Sequence, residues 1–161
     1  MFNYNKNIFF GVYEKSDWII EDTYKRCESF DSYESFKDEL IQTVNLSNDT
    51  LKLLLLKAHP ELTGKISIGE LTKDSLNEQN SAGLNKCSVE EYNELHALNK
   101  TYNEKFKFPF IIAVTGLNVI KILYYFRLRV LNDYEAEFAE ALLQVHKIAE
   151  IRISQIIKKM E

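Results

Sequence analysis

The sequence predicts an all-α protein, and three observations lead to this prediction. Hydrophobic residues make up 45% of the 161 residues, so the chain can bury one sizeable core as a single domain, 1–161. Apolar residues recur at helical spacing along most of the chain, and no segment shows the sustained alternation that is typical of strands. Only five glycines and two prolines interrupt these patterns. We expect a helical bundle of about seven to nine helices.

The first three helices are predicted from their start and stop signals. Ser16 is expected to cap the helix in "DWIIEDTYKRC", and Asp31 with Glu34 gives a box-like start for "SYESFKDELIQTV". The polar stretch "SNDT" opens a third helix, "LKLLLLKAH". Pro60 closes it, because the residue before a proline is biased out of the α region. The third helix is therefore predicted to end at His59.

The middle of the chain shows one connection and two further helices. After "TGKISIG" the segment "LTKDSLNEQNSAG" resumes helical spacing, and Gly83 offers a stop. Ser88 and Glu91 form a capping box ahead of "VEEYNELHALNKTYNEKF". These signals predict one helix on each side of Gly83.

The last third of the chain is predicted as a buried extended piece followed by two helices. Pro109 makes "KFPFI" non-helical, and an apolar helix is expected from about Leu117 to Leu131. The pair "ND" at 132 and 133 then caps the longest helix, which runs to about Lys158.

The composition excludes several functions. The formal net charge is -4 and no basic face is evident, so nucleic-acid binding is not expected. Polar residues, Gly and Pro interrupt the most hydrophobic segment, "FPFIIAVTGLNVIKILYYF", which argues against a membrane span. Two cysteines form no spaced framework, and the N-terminal residues contain no apolar block of a signal peptide. We expect a cytoplasmic protein.

Polar residues occupy a helical face where core residues would be expected. Leu71, Ser75, Glu78, Gln79 and Ala82 follow the spacing of one face. This pattern fits either a solvated surface helix or a pocket wall on which a carboxylate, an amide and a hydroxyl converge.

Arg152 and His59 also interrupt apolar patterns. The last helix carries an apolar stripe of Tyr134, Phe138, Ala141, Leu142, Val145, Ile148, Ala149 and Ile156, with Arg152 near its centre. Its guanidinium could form a buried salt bridge, extend to the surface, or bind a ligand carboxylate or carbonyl. His59 could simply cap carbonyls at a helix end. No second histidine follows at metal-ligand spacing, so no metal site is expected.

Four ordered motifs closely resemble the 2-oxo-4-hydroxy-4-carboxy-5-ureidoimidazoline (OHCU) decarboxylases of urate degradation. They are "HPELTGK", "LTKDSLNEQNSAGL", "FPFIIAVTG" and "ALLQVHKIAEIR". The likeness spans nearly the whole chain, with a weaker match in "SDWIIE", where Asp17 replaces the family's usual proline. The change affects only a helix start.

The resemblance implies an all-helical enzyme that needs no cofactor, is commonly a homodimer, and forms (S)-allantoin and carbon dioxide. The family's catalytic histidine and glutamate fall on His59 and Glu78. Its substrate-contacting positions fall on Pro60, Ser75, Gln79, Phe110, Ile111, Ile112, Ala113, Val114 and Arg152. Two other functions remain open at this stage: a noncatalytic helical interaction module, and a lyase for a related ureido or imidazoline acid.

Overall fold

The computed structural model describes residues 1–62 and 88–161, and this part of the chain is helical. It contains six α-helices, one 3-10 helix and no β-strand. The helices are the 3-10 helix Lys6–Phe9, α1 Trp18–Arg26, α2 Tyr33–Leu46, α3 Asp49–Lys57, α4 Val89–Phe106, α5 Val119–Arg129 and α6 Tyr134–Met160. The all-α prediction is confirmed. The helix predicted around "LTKDSLNEQNSAG" and its stop at Gly83 lie outside the described residues, so the expected total number of helices stays a prediction.

Three of the predicted helix starts are confirmed. The Asn48 side chain accepts a hydrogen bond from the Leu51 N–H at 2.9 Å, and Asp133 accepts one from the Ala136 N–H at 2.8 Å. Ser88 and Glu91 form the full capping box, with reciprocal bonds of 3.1 Å and 2.9 Å. Each cap provides a partner for an N–H group that the helix itself leaves unpaired.

Two of the predicted caps are wrong. The α1 helix starts after Asp17, because the Ser16 hydroxyl donates instead to the Glu14 carbonyl at 2.9 Å. The Asp17 carboxylate accepts a bond from the Gly11 N–H at 2.7 Å and makes no cap bond. The α2 helix is capped by Ser32, not Asp31, through the Ser35 N–H at 3.1 Å. Several polar residues stand near each start, so local spacing did not decide which one caps.

The chain divides into two compact units, of which the first comprises Met1–Ala58 and Val145–Glu161. Its core contains a cluster of aromatic rings from the N-terminal segment, the connection between α1 and α2, and the start of α2: Phe2, Phe9, Phe30 and Phe36. The buried hydroxyls of Thr23 on α1 and Thr43 on α2 lie 2.6 Å apart. Each of the two buried hydroxyls thus has a hydrogen-bond partner inside the core.

The second unit comprises His59–Gln144. A left-handed residue, Lys107 with φ 64°, ends α4, and the chain then runs without helix through buried apolar residues to Asn118, which caps α5. The Phe110 ring stacks on the Phe126 ring of α5 at 3.8 Å between centroids. The predicted extended piece followed by a core helix is confirmed.

Candidate functional site

His59 lies just beyond the end of α3. The last helical residue is Lys57, and the Ala58 N–H completes the turn on the Leu54 carbonyl at 3.0 Å. The helix therefore ends two residues earlier than predicted, because the bias that Pro60 imposes on His59 already excludes that residue from the helix. His59 is 7% exposed. An ionisable ring is thus held in non-helical backbone with almost no access to solvent.

The residue after Pro60 fixes this segment to α4 within the second unit. The Glu61 carboxylate accepts hydrogen bonds from the side-chain amides of Asn103 at 2.7 Å and Asn99 at 3.1 Å. The two asparagines are four residues apart and so lie on one helical face. This anchor was not predicted from the sequence, although the two asparagines in "HALNKTYNEKF" stand at helical spacing. The anchor limits the conformations open to His59.

The segment 110–114 is also fixed within the second unit. Phe110, Ile111, Ile112 and Val114 are buried, and Ala113 is half-buried. The Ile111 carbonyl accepts a bond from Arg129 Nη1 at 2.6 Å, and the Ala113 N–H donates to Gln144 Oε1 at 3.0 Å. Two side chains from neighbouring helices therefore hold the backbone of the segment that the family resemblance assigns to the substrate.

Arg129 belongs to a buried polar network that was not predicted from the sequence. Its Nε and Nη2 donate to Glu137 Oε1 at 2.9 Å and 2.6 Å. The Tyr102 hydroxyl donates to the same oxygen, and the Asn132 amide donates to Glu137 Oε2 at 3.0 Å. Burial and the adjacent carboxylate raise the pKa of the Tyr102 hydroxyl, so Tyr102 remains a hydrogen-bond donor to Glu137.

A helical pattern in the sequence could have revealed part of this network. The residues Glu137, Ala141, Gln144 and Ile148 are buried on α6, at the 4-3-4 spacing of one helical face. The predicted apolar stripe omitted Glu137 and Gln144 because they are polar. The positions of Glu137 and Gln144 on the same helical face as buried apolar residues could have predicted that both are buried.

Arg152 lies in the first unit and is almost completely buried, at 3% exposure. Its Nη1 is 3.3 Å from the Val12 carbonyl and 3.3 Å from Glu14 Oε2. Of the alternatives considered for Arg152, a buried salt bridge to an internal carboxylate is therefore present. A role in substrate binding stays a prediction.

The remaining predicted site residues fall in different places. Ser75, Glu78 and Gln79 lie outside the described residues. His59, Pro60 and the segment 110–114 belong to the second unit, whereas Arg152 belongs to the first. Among residues 1–62 and 88–161, no three His, Cys, Asp or Glu side chains come together as metal ligands. In the same ranges, no helix combines the length and hydrophobicity that crossing a bilayer requires.

The chain is similar to known proteins along nearly its whole length. The family model described as OHCU decarboxylase matches residues 4–154. A protein from Halalkalicoccus jeotgali named 2-oxo-4-hydroxy-4-carboxy-5-ureidoimidazoline decarboxylase is 34% identical over 145 residues, which cover 90% of this chain and 80% of that protein. A crystal structure of (S)-allantoin synthase superposes with a TM-score of 0.73 at 29% identity, covering 94% of this chain and 49% of that chain.

One further relative is much longer than this chain. The uric acid degradation bifunctional protein of Bacillus sp. (strain TB-90) is 33% identical over 154 residues, which cover 94% of this chain but only 29% of that protein. The match to the family model nevertheless extends along nearly all of the chain described here. The resemblance seen in the four motifs is confirmed: the chain belongs to the OHCU decarboxylase family.

Proposed function

We propose that the protein is a carboxy-lyase that converts OHCU to (S)-allantoin and carbon dioxide, without a cofactor, in urate degradation. Membership of the OHCU decarboxylase family is the observation that carries this proposal. The name of the structural neighbour, (S)-allantoin synthase, supports the same product.

The chemistry explains why no cofactor is needed. The carboxylate of this substrate is on a ring carbon next to a C=N bond. When the bond to carbon dioxide breaks, its electron pair moves toward that C=N bond, so the ring itself accepts the electrons. The nitrogen of that bond takes up a proton as it receives the electrons. The hydroxyl on the carbon that lost the carboxylate then gives up its proton and becomes a carbonyl, while a proton is added to the carbon that bears the ureido group. The protein has to bind the substrate, move these protons and deliver the proton on carbon to only one face of the intermediate.

We assign the proton transfers to His59 and Glu78. His59 is nearly buried, and imidazole is the side-chain group best suited to accept or donate a proton near neutral pH. In this proposal Glu78 orients the ring of His59 and biases its protonation. Proton delivery from a fixed group to one face of the intermediate would set the stereochemistry of the product.

The other predicted residues would bind the substrate. Arg152 carries a planar guanidinium that suits a carboxylate or carbonyl oxygen. Ser75, Gln79 and the peptide groups of Pro60 and Phe110–Val114 would bond to the ureido and ring amides. The two hydrogen bonds that hold the backbone of the 110–114 segment support this assignment, because a binding surface that is ordered in advance avoids the entropy cost of ordering it later.

We further propose that the enzyme is a cytoplasmic homodimer. Ile120, Tyr124 and Leu128 lie four residues apart on one face of α5 and are 69%, 54% and 48% exposed. Exposed apolar side chains that share one helical face are candidates for an interface, and a second copy of the chain would cover these three. Cys27 is a free thiol, which suits a reducing compartment.

The dimer is tested by measuring the mass in solution with light scattering after size-exclusion chromatography. Leu128→Glu on the exposed face should shift the mass from two chains to one, because a charge would be buried without a partner. Glu90→Lys on α4 is the control for a simple change in charge and should leave the mass at two chains. A wild-type mass of one chain would refute the dimer.

The activity is tested by circular dichroism of freshly generated substrate. The signal of chiral allantoin should appear faster with the protein than with heat-denatured protein. Turnover at the background rate would exclude the proposed reaction. In that case, binding of a related ureido or imidazoline acid would favour a lyase for that acid, and the absence of binding would favour a noncatalytic module.

A further inference from the structure

We infer that Arg129 and Gln144 are positioning residues, which hold one edge of the 110–114 segment so that the peptide groups of Ile112 face the substrate. This inference rests on the proposed function, which assigns the segment to substrate binding. It extends that function to two side chains that would act through the backbone.

The peptide groups of the 110–114 segment alternate in direction. Residues 109–114 contain no helix, turn or bend, and none of them has a positive φ. We infer from this that the segment is extended, and in extended backbone the N–H and C=O of one residue point to the same side, whereas those of the next residue point to the other side. The Ile111 carbonyl and the Ala113 N–H therefore share one edge, and this edge is occupied by Arg129 and Gln144.

Ile112 lies on the opposite edge of the segment from the bonds to Arg129 and Gln144. Ile112 is a nearly buried residue, at 8% exposure. Within the part of the chain that the structure describes, neither its N–H nor its carbonyl has a protein hydrogen-bond partner. The neighbouring Val114 carbonyl is already bonded to the Leu117 N–H at 2.9 Å. Buried peptide groups are almost always paired, so those of Ile112 are suited to a ligand that offers both an amide N–H and a carbonyl.

The Arg129 side chain is oriented by contacts with Glu137 and Phe110. Two of its nitrogens bond to Glu137, and its guanidinium carbon lies 4.4 Å from the centre of the Phe110 ring. Phe110 in turn stacks on Phe126. The remaining terminal nitrogen, Nη1, is thereby directed at the Ile111 carbonyl. A lysine could keep the charge but could not bond to Glu137 and Ile111 in this planar arrangement.

Gln144 is oriented in a comparable way. Its Nε2 donates to Glu140 Oε1 at 2.8 Å, four residues earlier on α6. Because the amide nitrogen is engaged there, the amide oxygen is the atom that faces the Ala113 N–H. Arg129 and Gln144 thus act on two peptide groups of one edge, with opposite hydrogen-bonding roles.

The test uses Arg129→Lys and Gln144→Leu, which keep the approximate volume and remove the oriented bonds. Each should raise KM by about tenfold and weaken binding of (S)-allantoin similarly, while kcat changes much less, because the displaced Ile112 peptide groups would bind substrate and transition state alike. Thr23→Val is the matched control, since it removes a buried hydrogen bond in the first unit. It should lower Tm but leave KM at the wild-type value.

A second readout follows the backbone of Ile112 itself. Its amide resonance in ¹⁵N-labelled protein should shift when (S)-allantoin is added to the wild type, and the shift should be largely lost in Gln144→Leu. If Arg129→Lys does not fold, Gln144→Leu still tests the inference. Unchanged KM and allantoin affinity in an active Gln144→Leu enzyme would overturn it. A wild type with neither turnover nor allantoin binding would instead refute the proposed function.

Discussion

Arg152 and Glu14 form a buried ion pair, with Arg152 Nη1 3.3 Å from Glu14 Oε2 and side-chain exposures of 3% and 0%. The two residues are 138 positions apart in the sequence but belong to the same unit. Two charges removed from water need excellent geometry and further hydrogen bonds to compensate for their lost hydration. Arg152 therefore has a structural partner in Glu14, in addition to the ligand-binding role that we propose for it.

Replacing Arg152 with lysine should separate these two roles. We expect Arg152→Lys to raise KM roughly tenfold or more, because an ammonium binds as a point charge where a guanidinium binds two oxygens. KM and Tm should be measured on the same variant. A lower Tm with an unchanged KM would restrict Arg152 to its ion pair with Glu14.

Glu14→Gln is the companion variant, since Glu14 is not among the proposed site residues. It keeps the shape of the side chain but removes the negative charge that lies 3.3 Å from the buried guanidinium. We expect the free energy of unfolding to fall by about 1.5–3 kcal/mol, the usual contribution of a hydrogen bond to a charged group. Urea unfolding at neutral pH measures this change, and a wild-type midpoint would contradict it.

His59 and Glu78 should be required for turnover but not for folding. His59→Ala and Glu78→Ala are each expected to lower kcat by roughly 10² to 10⁴, the contribution of a positioned acid or base. Because the two are proposed to act as a unit, the double variant should lose much less than the product of the single losses. Steady-state kinetics would show this, with Glu90→Ala on the exposed surface of α4 as the control for losing a carboxylate.

Stability should fall at acid pH because of His146. Burial lowers the pKa of His146 from 6.5 to about 4, and the Tyr13 hydroxyl lies 2.8 Å from its Nδ1. Burial also raises the pKa of Tyr13, so the phenol stays protonated and donates to a neutral ring. In the unfolded chain the ring takes up a proton at a higher pH than in the folded chain. The stability due to His146 is therefore present above pH 6.5 and is lost as the pH falls towards about 4.

The size of this effect is measured by comparing urea unfolding of the wild type and His146→Gln between pH 7 and pH 4. The wild type should lose up to roughly 3 kcal/mol more than the variant over this range. Glutamine can still accept the Tyr13 hydrogen bond but does not titrate. The difference in unfolding free energy between the two proteins therefore reports the protonation of the His146 ring. Parallel curves for the two proteins would show that His146 titrates normally in the folded state.

The purified protein should be active without any additive and unaffected by chelators. The substrate supplies its own electron sink, so we expect the same initial rate with and without EDTA. Loss of activity with EDTA that a divalent metal restores would contradict this prediction.

The sequence predicted the helical architecture well because its signals are local. Asn48, Ser88 and Asp133 cap helices as expected, since each cap involves residues only three positions apart. The buried segment after Pro109 followed from a run of apolar residues next to a proline. Where several polar residues were adjacent, as at Ser16 and Asp31, the choice depended on tertiary contacts such as the Gly11 bond to Asp17.

The site was less predictable because its contacts join distant parts of the chain. The burial of Arg152 followed from the α6 stripe, but its partner Glu14 lies in an N-terminal segment with no periodic pattern. Arg129 and Glu137 are on different helices, so no helical spacing connects them. The family motifs supplied His59, Glu78 and the 110–114 segment, whereas composition and spacing did not assign their roles.

The position of Trp18 at the start of α1 provides a separate probe of the first unit. It is the only tryptophan in the chain, and it lies in Met1–Ala58 next to buried Ile19 and Ile20. Intrinsic tryptophan fluorescence therefore reports the melting of that unit, whereas far-ultraviolet circular dichroism reports helices throughout the chain. Coincident transitions by both methods would show that the two units unfold cooperatively as one domain, and separate transitions would show two independently melting modules.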